Sequence, residues 1–139
     1  MSKMNKTYVL DASALLDLLE NGPGAGRTEY MLKEAERLGN PLLASAVNWG
    51  EVFYLSWQRH GEQTARDTMA DLSRLPIRVV SVDLPQVLKA GELKALHKIP
   101  YVDCIAAALA VEQRATLVTS DRDFEKLGRQ FPILWNPRP

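Results

Sequence analysis

Two spacings of apolar residues alternate along the chain: short unbroken runs, and longer stretches in which apolar positions return every third or fourth residue. The short runs, Tyr8 to Leu10, Leu42 to Ala44, Ile77 to Val82, Thr116 to Thr119 and Ile133 to Trp135, suit strands and are too brief for helices. The longer stretches predict helices. One covers Ala12 to Glu20 and stops at "NGPGAG", where Gly and Pro end it. Thr28 to Leu38 places Met31, Leu32, Ala35 and Leu38 on one face, and Gly39 closes it. Ser45 suits the N-cap of a helix reaching about Arg59, ended by "HG". Glu62 to Leu75 follows, weakly amphipathic through Ala65, Met69 and Leu72. Asp83 caps the next helix, with Val87, Leu88 and Leu96 as its inward residues, until Pro100 breaks it. From about Val102, "DCIAAALAVEQ" is so rich in small apolar residues that most of its circumference must be buried.

Strands separated by helices need crossover connections. They predict an α/β fold of three layers, α/β/α, around a mostly parallel sheet of roughly four to five strands. The chain's 139 residues suit one domain spanning 1–139, with no internal repeat or low-complexity stretch. In such sheets ligands bind beyond the carboxyl ends of the strands. There the first and fourth strands both run into aspartate, at Asp11 and Asp121.

Composition narrows the class. Charged residues make up 24% and hydrophobic ones 46%, the balance of an ordinary globular protein rather than a disordered or membrane one. Lys and Arg number 17, as do Asp and Glu, so net charge alone gives no strong pull on nucleic acid. A local basic rim or a bound cation would have to supply it. Arg27, Lys98, Arg122, Lys126 and Arg129 lie near the acid edge in sequence, either as phosphate contacts or as a solvated face. Cys104 stands alone, so neither an internal disulfide nor a zinc cluster is expected. The apolar run in "MSKMNKTYVLD" is too short for a signal peptide and no stretch approaches a membrane span, so a cytoplasmic protein with a few loose leading residues is expected.

Each acid taken singly has an ordinary structural role. Asp11 can cap the first helix, as can Ser13; Ser120 with Asp123 resembles a capping pair for the "FEKL" turn. Asp103 enters the first turn of the Ala-rich helix, where free N–H groups favour an anion. Glu51 fits such a role less well. It shares a helix stripe with Val47 and Leu55 that should face apolar neighbours, and a buried carboxylate needs a cation, donors or a metal. Asn48 is near, while no Lys or Arg stands on that stripe. Separate roles also leave unexplained why Asp11, Glu51, Asp103 and Asp121 gather at one edge, where like charges repel unless neutralised. Oxygen donors suit Mg²⁺ or Mn²⁺, and one or two such ions suit phosphodiester chemistry. His60 and His97 read as surface residues. Trp49, Phe53 and Trp57 recur every fourth residue on the Glu51 helix as a second stripe, core if buried and a partner contact if exposed.

In that order, "VLDASALL", "SAVNWGEV", "YVDCIAAALA" and "LVTSDRDF" resemble the motifs of the PIN-domain family. The short chain and its "PILWNP" ending are similar to the VapC-type ribonuclease toxins of toxin–antitoxin pairs. The likeness covers nearly the whole chain; each motif is weak alone, and the ordered set is fairly specific. It implies a PIN-like nuclease domain whose acidic quartet falls on Asp11, Glu51, Asp103 and Asp121. Asp11 and Asp103 stand foremost as metal ligands, with Asp121 beside them. Ser13 and Thr119 match small hydroxyl positions that support the acids, Asn48 is grouped with them, and Asp123 matches an acid that is either a cap or an auxiliary ligand. The implied activity is that of a Mg²⁺- or Mn²⁺-dependent endoribonuclease. It would cut single-stranded or loop RNA by water attack and leave a 5′-phosphate and a 3′-hydroxyl, with Arg122 placed to meet the RNA. Homodimers are implied too, as is a cognate VapB-like antitoxin whose tail fills the groove beside the acids. Trp49, Phe53 and Trp57 are the candidate partner contact.

Rival readings fit fewer residues. A receiver-like phosphoacceptor domain also gathers aspartates around Mg²⁺, but it needs an acidic pair after the first strand and a lysine after the last; "VLDAS" has one acid and "LWNPRP" no lysine. A haloacid-dehalogenase-like phosphatase needs Asp-x-Asp, and Ser13 takes that slot. A non-catalytic interaction module, or a PIN-like nuclease acting on DNA, would carry the same acids, and a cleavage assay separates both from a ribonuclease.

Overall fold

The computed structural model describes residues 6–138; the loose leading residues expected ahead of the first strand, 1–5, lie outside the described residues. The chain runs β1 (Tyr8–Leu10), α1 (Ala12–Leu19), α2 (Ala25–Leu38), β2 (Leu42–Ser45), α3 (Ala46–His60), α4 (Glu62–Leu72) and β3 (Ile77–Val80). It continues through α5 (Leu84–Leu96), α6 (Tyr101–Gln113), β4 (Thr116–Thr119), a 3-10 helix (Arg122–Leu127) and β5 (Ile133–Trp135). Five strands form one sheet in the order β3-β2-β1-β4-β5, with every neighbouring pair parallel.

The pleat sends successive side chains to opposite faces of this sheet. Val9, Leu43 and Leu117 enter one core with Ala90 and Leu93 of α5 and Ala106 and Leu109 of α6. Leu10, Leu42, Ala44 and Val118 enter the other with Leu15, Leu32, Val52 and Leu72, which come from α1 to α4. Cover on both faces is why these strands read as apolar runs instead of alternating patterns. The result is the three-layer α/β/α arrangement that the crossovers required. In α6 every residue from Cys104 to Ala110 is buried, as its all-round apolar character demanded.

Several helices differ from expectation, each for a local reason. α2 begins at Ala25, inside the segment read as a breaker. The Asp17 carboxylate accepts the Gly24 N–H at 2.6 Å, and a Cβ on Gly22 or Gly24 would collide with a carboxylate oxygen of Asp17. Those glycines let the loop close onto α1, and α2 restarts at once. α4 stops at Leu72 and β3 at Val80, while Leu75 and Val82 pack beside the two cores as loop residues. Leu38 is exposed.

The largest correction concerns α5. Its inward residues are Gln86, Ala90 and Leu93, whereas Leu88 and Leu96 are 65% and 70% exposed and Val87 is exposed as well. Ala90 allows close approach to the alanines of α6, and the Gln86 amide reaches the Ser81 carbonyl and Glu112. Larger leucines would hold the two helices apart. In α3 the fully buried stripe is Asn48, Val52 and Ser56, one residue along from the expected Val47, Glu51 and Leu55, which are half-buried.

Candidate active site

Strand order reverses around β1, with β2 and β3 on one side and β4 and β5 on the other. The crevice beyond the carboxyl ends of β1 and β4 is therefore where a parallel sheet of this kind is left open. Asp11 directly follows β1 and Asp121 comes two residues after β4. Asp103 enters from the first turn of α6, and Glu51 from α3.

Asp11 is only 3% exposed and caps α1, accepting the Ala14 N–H at 2.9 Å. The Ser13 hydroxyl donates to the same oxygen at 2.7 Å, and the Thr119 hydroxyl donates to the other at 2.5 Å. Those two hydroxyls also fasten the end of β4, because Ser13 Oγ accepts the Ser120 N–H at 3.0 Å and Thr119 Oγ1 accepts the Asp121 N–H at 2.9 Å. Capping and gathering are thus the work of one residue. Burial pushes the Asp11 carboxyl up to about 6; hydrogen bonds from Thr119, Ser13 and Ala14 oppose the rise, and the charge of Asp121 adds to it.

The 3-10 helix is capped by Asp121, which accepts the Asp123 N–H at 2.9 Å; the expected Ser120–Asp123 capping pair does not form. This turn carries Asp123 toward α6, and oxygens of Asp103, Asp121 and Asp123 lie within 4.8 Å of one another. Asp11 stands outside that trio. One oxygen of Asp103, Oδ2, is buried without a hydrogen-bond partner. Burial pushes the Asp103 carboxyl up to about 8; the charge of Asp121, a hydrogen bond with it, and the charges of Asp11 and Glu51 all push the same way. The four acids expected at this edge therefore act on one another, and Asp123 joins them. Asn48 Nδ2 donates to Glu51 Oε1 at 3.2 Å, while its own buried Oδ1 has no partner.

Among the described residues the only ion pair reaching these five acids is Lys126 with Asp123, at 3.5 Å. Uncompensated anions with an orphaned buried oxygen, offered as an all-oxygen donor set, fit a hard divalent cation such as Mg²⁺ or Mn²⁺. Asp103, Asp121 and Asp123 can hold it.

The basic residues divide. Arg122 lies over the Trp135 ring, 4.4 Å from its centre. Arg27 donates to the Trp135 carbonyl and, at 2.6 Å, to Asn136 Oδ1, so it ties α2 to the end of β5 and is not the free phosphate contact its position in sequence offered. Lys126 donates to the Lys98 carbonyl at 2.8 Å, and the Lys98 and Arg129 side chains are exposed. The aromatic stripe divides too. Trp49 packs against the core, Phe53 is half-buried, and Trp57, 40% exposed, meets Phe53 edge-on at 5.6 Å. Arg66 of α4 lies over both Phe53 and Trp57, and an open apolar hollow lies between Trp49, Phe53 and Met69. Sequence reasoning missed Asp17 and Asn136, both buried ties close to the site. An acid within an apolar helix face, followed by closely spaced glycines, was the signal for Asp17. Asn136 gave none.

The PIN domain family model matches residues 8–130. A search by sequence among curated proteins gives no match. Among solved structures the chain is similar to one in DNA-bound VapBC from Salmonella typhimurium, with a TM-score of 0.74 and 15% identity over 93% of this chain and 97% of that one. It is similar to VapC20 of Mycobacterium tuberculosis, described as a sarcin–ricin loop cleaving toxin, with a TM-score of 0.70 and 20% identity over 88% and 95%. It is also similar to a chain of FitAcB from Neisseria gonorrhoeae, with a TM-score of 0.69 and 16% identity over 94% and 98%. At these identities the likeness speaks for the fold. With four of the five described strands and every one of the five acids inside the matched span, the chain belongs to the PIN domain family.

Proposed function

We propose that the chain is a divalent-metal-dependent endoribonuclease of the VapC toxin type, cytoplasmic, acting on single-stranded or loop RNA and silenced by a VapB-like antitoxin. The observation that carries this reading is the convergence of Asp103, Asp121 and Asp123 around an unpartnered buried oxygen. These three would hold the ion. Asp11, fixed below them by Ser13 and Thr119, adds its charge to the floor of the site. When bound, one or two Mg²⁺ or Mn²⁺ ions supply Lewis acidity toward a phosphoryl oxygen and a lowered pKa for the attacking water. Glu51, tethered at one oxygen by Asn48, keeps the other to orient that water. Water loses a proton and adds to phosphorus on the side opposite the departing 3′ oxygen, which takes up a proton and leaves as a hydroxyl, and the phosphate stays on the 5′ oxygen of the downstream fragment.

Partners follow from the surfaces. The solved structures the chain is similar to include a toxin–antitoxin complex, which supports an antitoxin seated on the hollow of Trp49, Phe53 and Met69 and on exposed Trp57. A homodimer is supported by α5, whose outward face is apolar at Leu84, Leu88 and Ala95, with open space over Gly91 between them. A second copy crossing there antiparallel would set the same residues against themselves, with Gly91 allowing close approach. Leu88→Lys should then give a monomer by sedimentation, and an unchanged mass would remove that surface.

The decisive assay incubates the protein with single-stranded and hairpin RNA, with matching DNA as a second substrate, in Mg²⁺, Mn²⁺ or EDTA. Cutting of RNA only with a divalent ion, to 5′-phosphate ends, and its loss in Asp11→Asn and Asp103→Asn is the expected result. Variants that cut at the wild-type rate, or cutting unaffected by EDTA, would overturn the reading.

A further inference from the structure

Among the described residues the sheet ends on β5, with no strand beside its outer edge. In its ladder with β4, the Leu117 N–H bonds the Pro132 carbonyl at 3.0 Å and the Asn136 N–H bonds the Thr119 carbonyl at 2.8 Å. Backbone groups of 132, 134 and 136 therefore turn toward β4, and those of Ile133 and Trp135 turn outward. Arg27 takes the Trp135 carbonyl. Among the described residues three polar groups are left on this edge: the N–H and C=O of Ile133 and the N–H of Trp135.

Against this edge lies a cleft of about 540 Å³ between the 3-10 helix and β5, lined by Phe124, Glu125, Arg129, Phe131, Ile133 and Trp135. The register pairs Trp135 with Thr119, at the level where β4 hands over to Asp121. Arg122, which sits between Asp121 and Asp123, covers the Trp135 ring. A flat aromatic wall, guanidinium groups and a row of backbone donors and acceptors are what an unstacked nucleobase uses when a protein reads single-stranded RNA.

We infer that this cleft takes the base of a nucleotide flanking the scissile phosphate and so selects the sequence that is cut. This rests on the ribonuclease reading above. A peptide strand added to the same edge is the competing occupant, and it fits less well: β5 has three residues and one of their outward carbonyls is already bonded. A base needs only two or three hydrogen bonds and a flat surface to lie against, which the edge and the stacked Arg122–Trp135 pair provide together.

The test uses the full chain with Mn²⁺ and an RNA pool randomised around a single-stranded loop, cut by wild type, by Arg129→Gln and by Trp135→Phe. Arg129 is exposed, so that variant keeps the fold, and melting curves check both. Wild type should prefer one base at a position beside the cut, and either variant should flatten that preference by about 10-fold, the scale of a single lost pocket contact. In parallel, binding of short A, C, G and U homo-oligomers is measured for the three proteins; base-dependent affinity should fall in the variants. If wild type cuts nothing, the nuclease reading fails, and the binding arm still judges the cleft. Variants that keep both the wild-type cutting preference and the wild-type base dependence of binding overturn the inference.

Discussion

Asp11 and Asp103 stand at the same crevice, and burial raises both carboxyls, yet their surroundings are opposite. Asp11 receives three hydrogen bonds, two from hydroxyls that also fasten the end of β4. Asp103 has a buried oxygen with no partner and three negative neighbours. The fold has already answered the first charge and left the second unanswered. Charge that a structure gathers and does not neutralise marks where an outside cation is required.

Replacement of Asp103 should produce the largest effect and the clearest split between activity and stability. Asp103→Asn should lower kcat/KM on RNA by on the order of 10³-fold or more, as loss of a charge essential to phosphoryl transfer does. It should also raise the melting temperature of the metal-free protein at pH 8, because a repelling charge is gone. A fall in melting temperature would show that Asp103 is structural, and the contrast with Asp11 would disappear.

The pH dependence of metal-free stability sharpens the same contrast. A carboxyl whose folded pKa lies above its unfolded value binds its proton more tightly in the native state, so its contribution is fully favourable at low pH and fades as pH rises through the folded value. For Asp11, rising from 3.8 to about 6, the full loss is roughly 3 kcal/mol, most of it between pH 4 and pH 7, or on the order of 10 °C in Tm. Asp103 extends the decline toward pH 8. Differential scanning fluorimetry in EDTA should record this fall, and Asp11→Asn should flatten its lower half. Mg²⁺ or Mn²⁺ should restore more stability at pH 8 than at pH 5, where protonated acids release the ion. Equal metal shifts at both values would argue that the ion binds elsewhere.

How far this site was legible in the sequence depended on which residues the backbone alone could place. Asp11 and Asp121 follow buried strands, and parallel strands connected by helices have their carboxyl ends on one edge, so the topology fixes both positions. The same argument brings Asp103 there at the head of a helix that had to be buried all round. Rotation about a helix axis was not legible where two faces are apolar. In α5, Ala90 and Leu93 compete with Leu84, Leu88 and Leu96, and close packing on the alanines of α6 decided for the smaller set. Periodicity weighs hydrophobicity and is blind to that volume limit. Arg27 was misplaced for a related reason: a charge near an acid edge in sequence was read as free, while Asn136, over a hundred residues away, had claimed it.

A smaller effect is expected from the hydroxyls under Asp11. Thr119→Val removes the donor to one Asp11 oxygen and the acceptor for the Asp121 N–H, so the acid loses both an opposing hydrogen bond and its alignment with the 3-10 helix. Activity should fall about 10- to 100-fold, the range for residues that orient metal ligands. The acid limb of the stability profile should move to higher pH, because a donor that lowers the Asp11 pKa is gone. Thr119→Ser, which keeps the hydroxyl, should recover most of the activity; if it does not, packing of the methyl group and not hydrogen bonding explains the loss.

The smallest change should come from Asp123, and it bears most directly on why Asp103 differs. By distance Asp123 belongs to the converging trio, yet Lys126 stands 3.5 Å from it and its side chain is substantially exposed. Part of its charge is already met by a cation and by water, so an ion gains less from it than from Asp103. Asp123→Asn should therefore weaken metal binding and cleavage by less than about 10-fold, with metal-free melting nearly unchanged, as expected for an exposed pair. Lys126→Ala should act in the opposite direction, freeing Asp123 and tightening the ion slightly in a titration of Mn²⁺. Should Asp123→Asn cost as much as Asp103→Asn, the three oxygens would be equivalent ligands, and proximity alone, with no role for the orphaned buried oxygen, would account for the site.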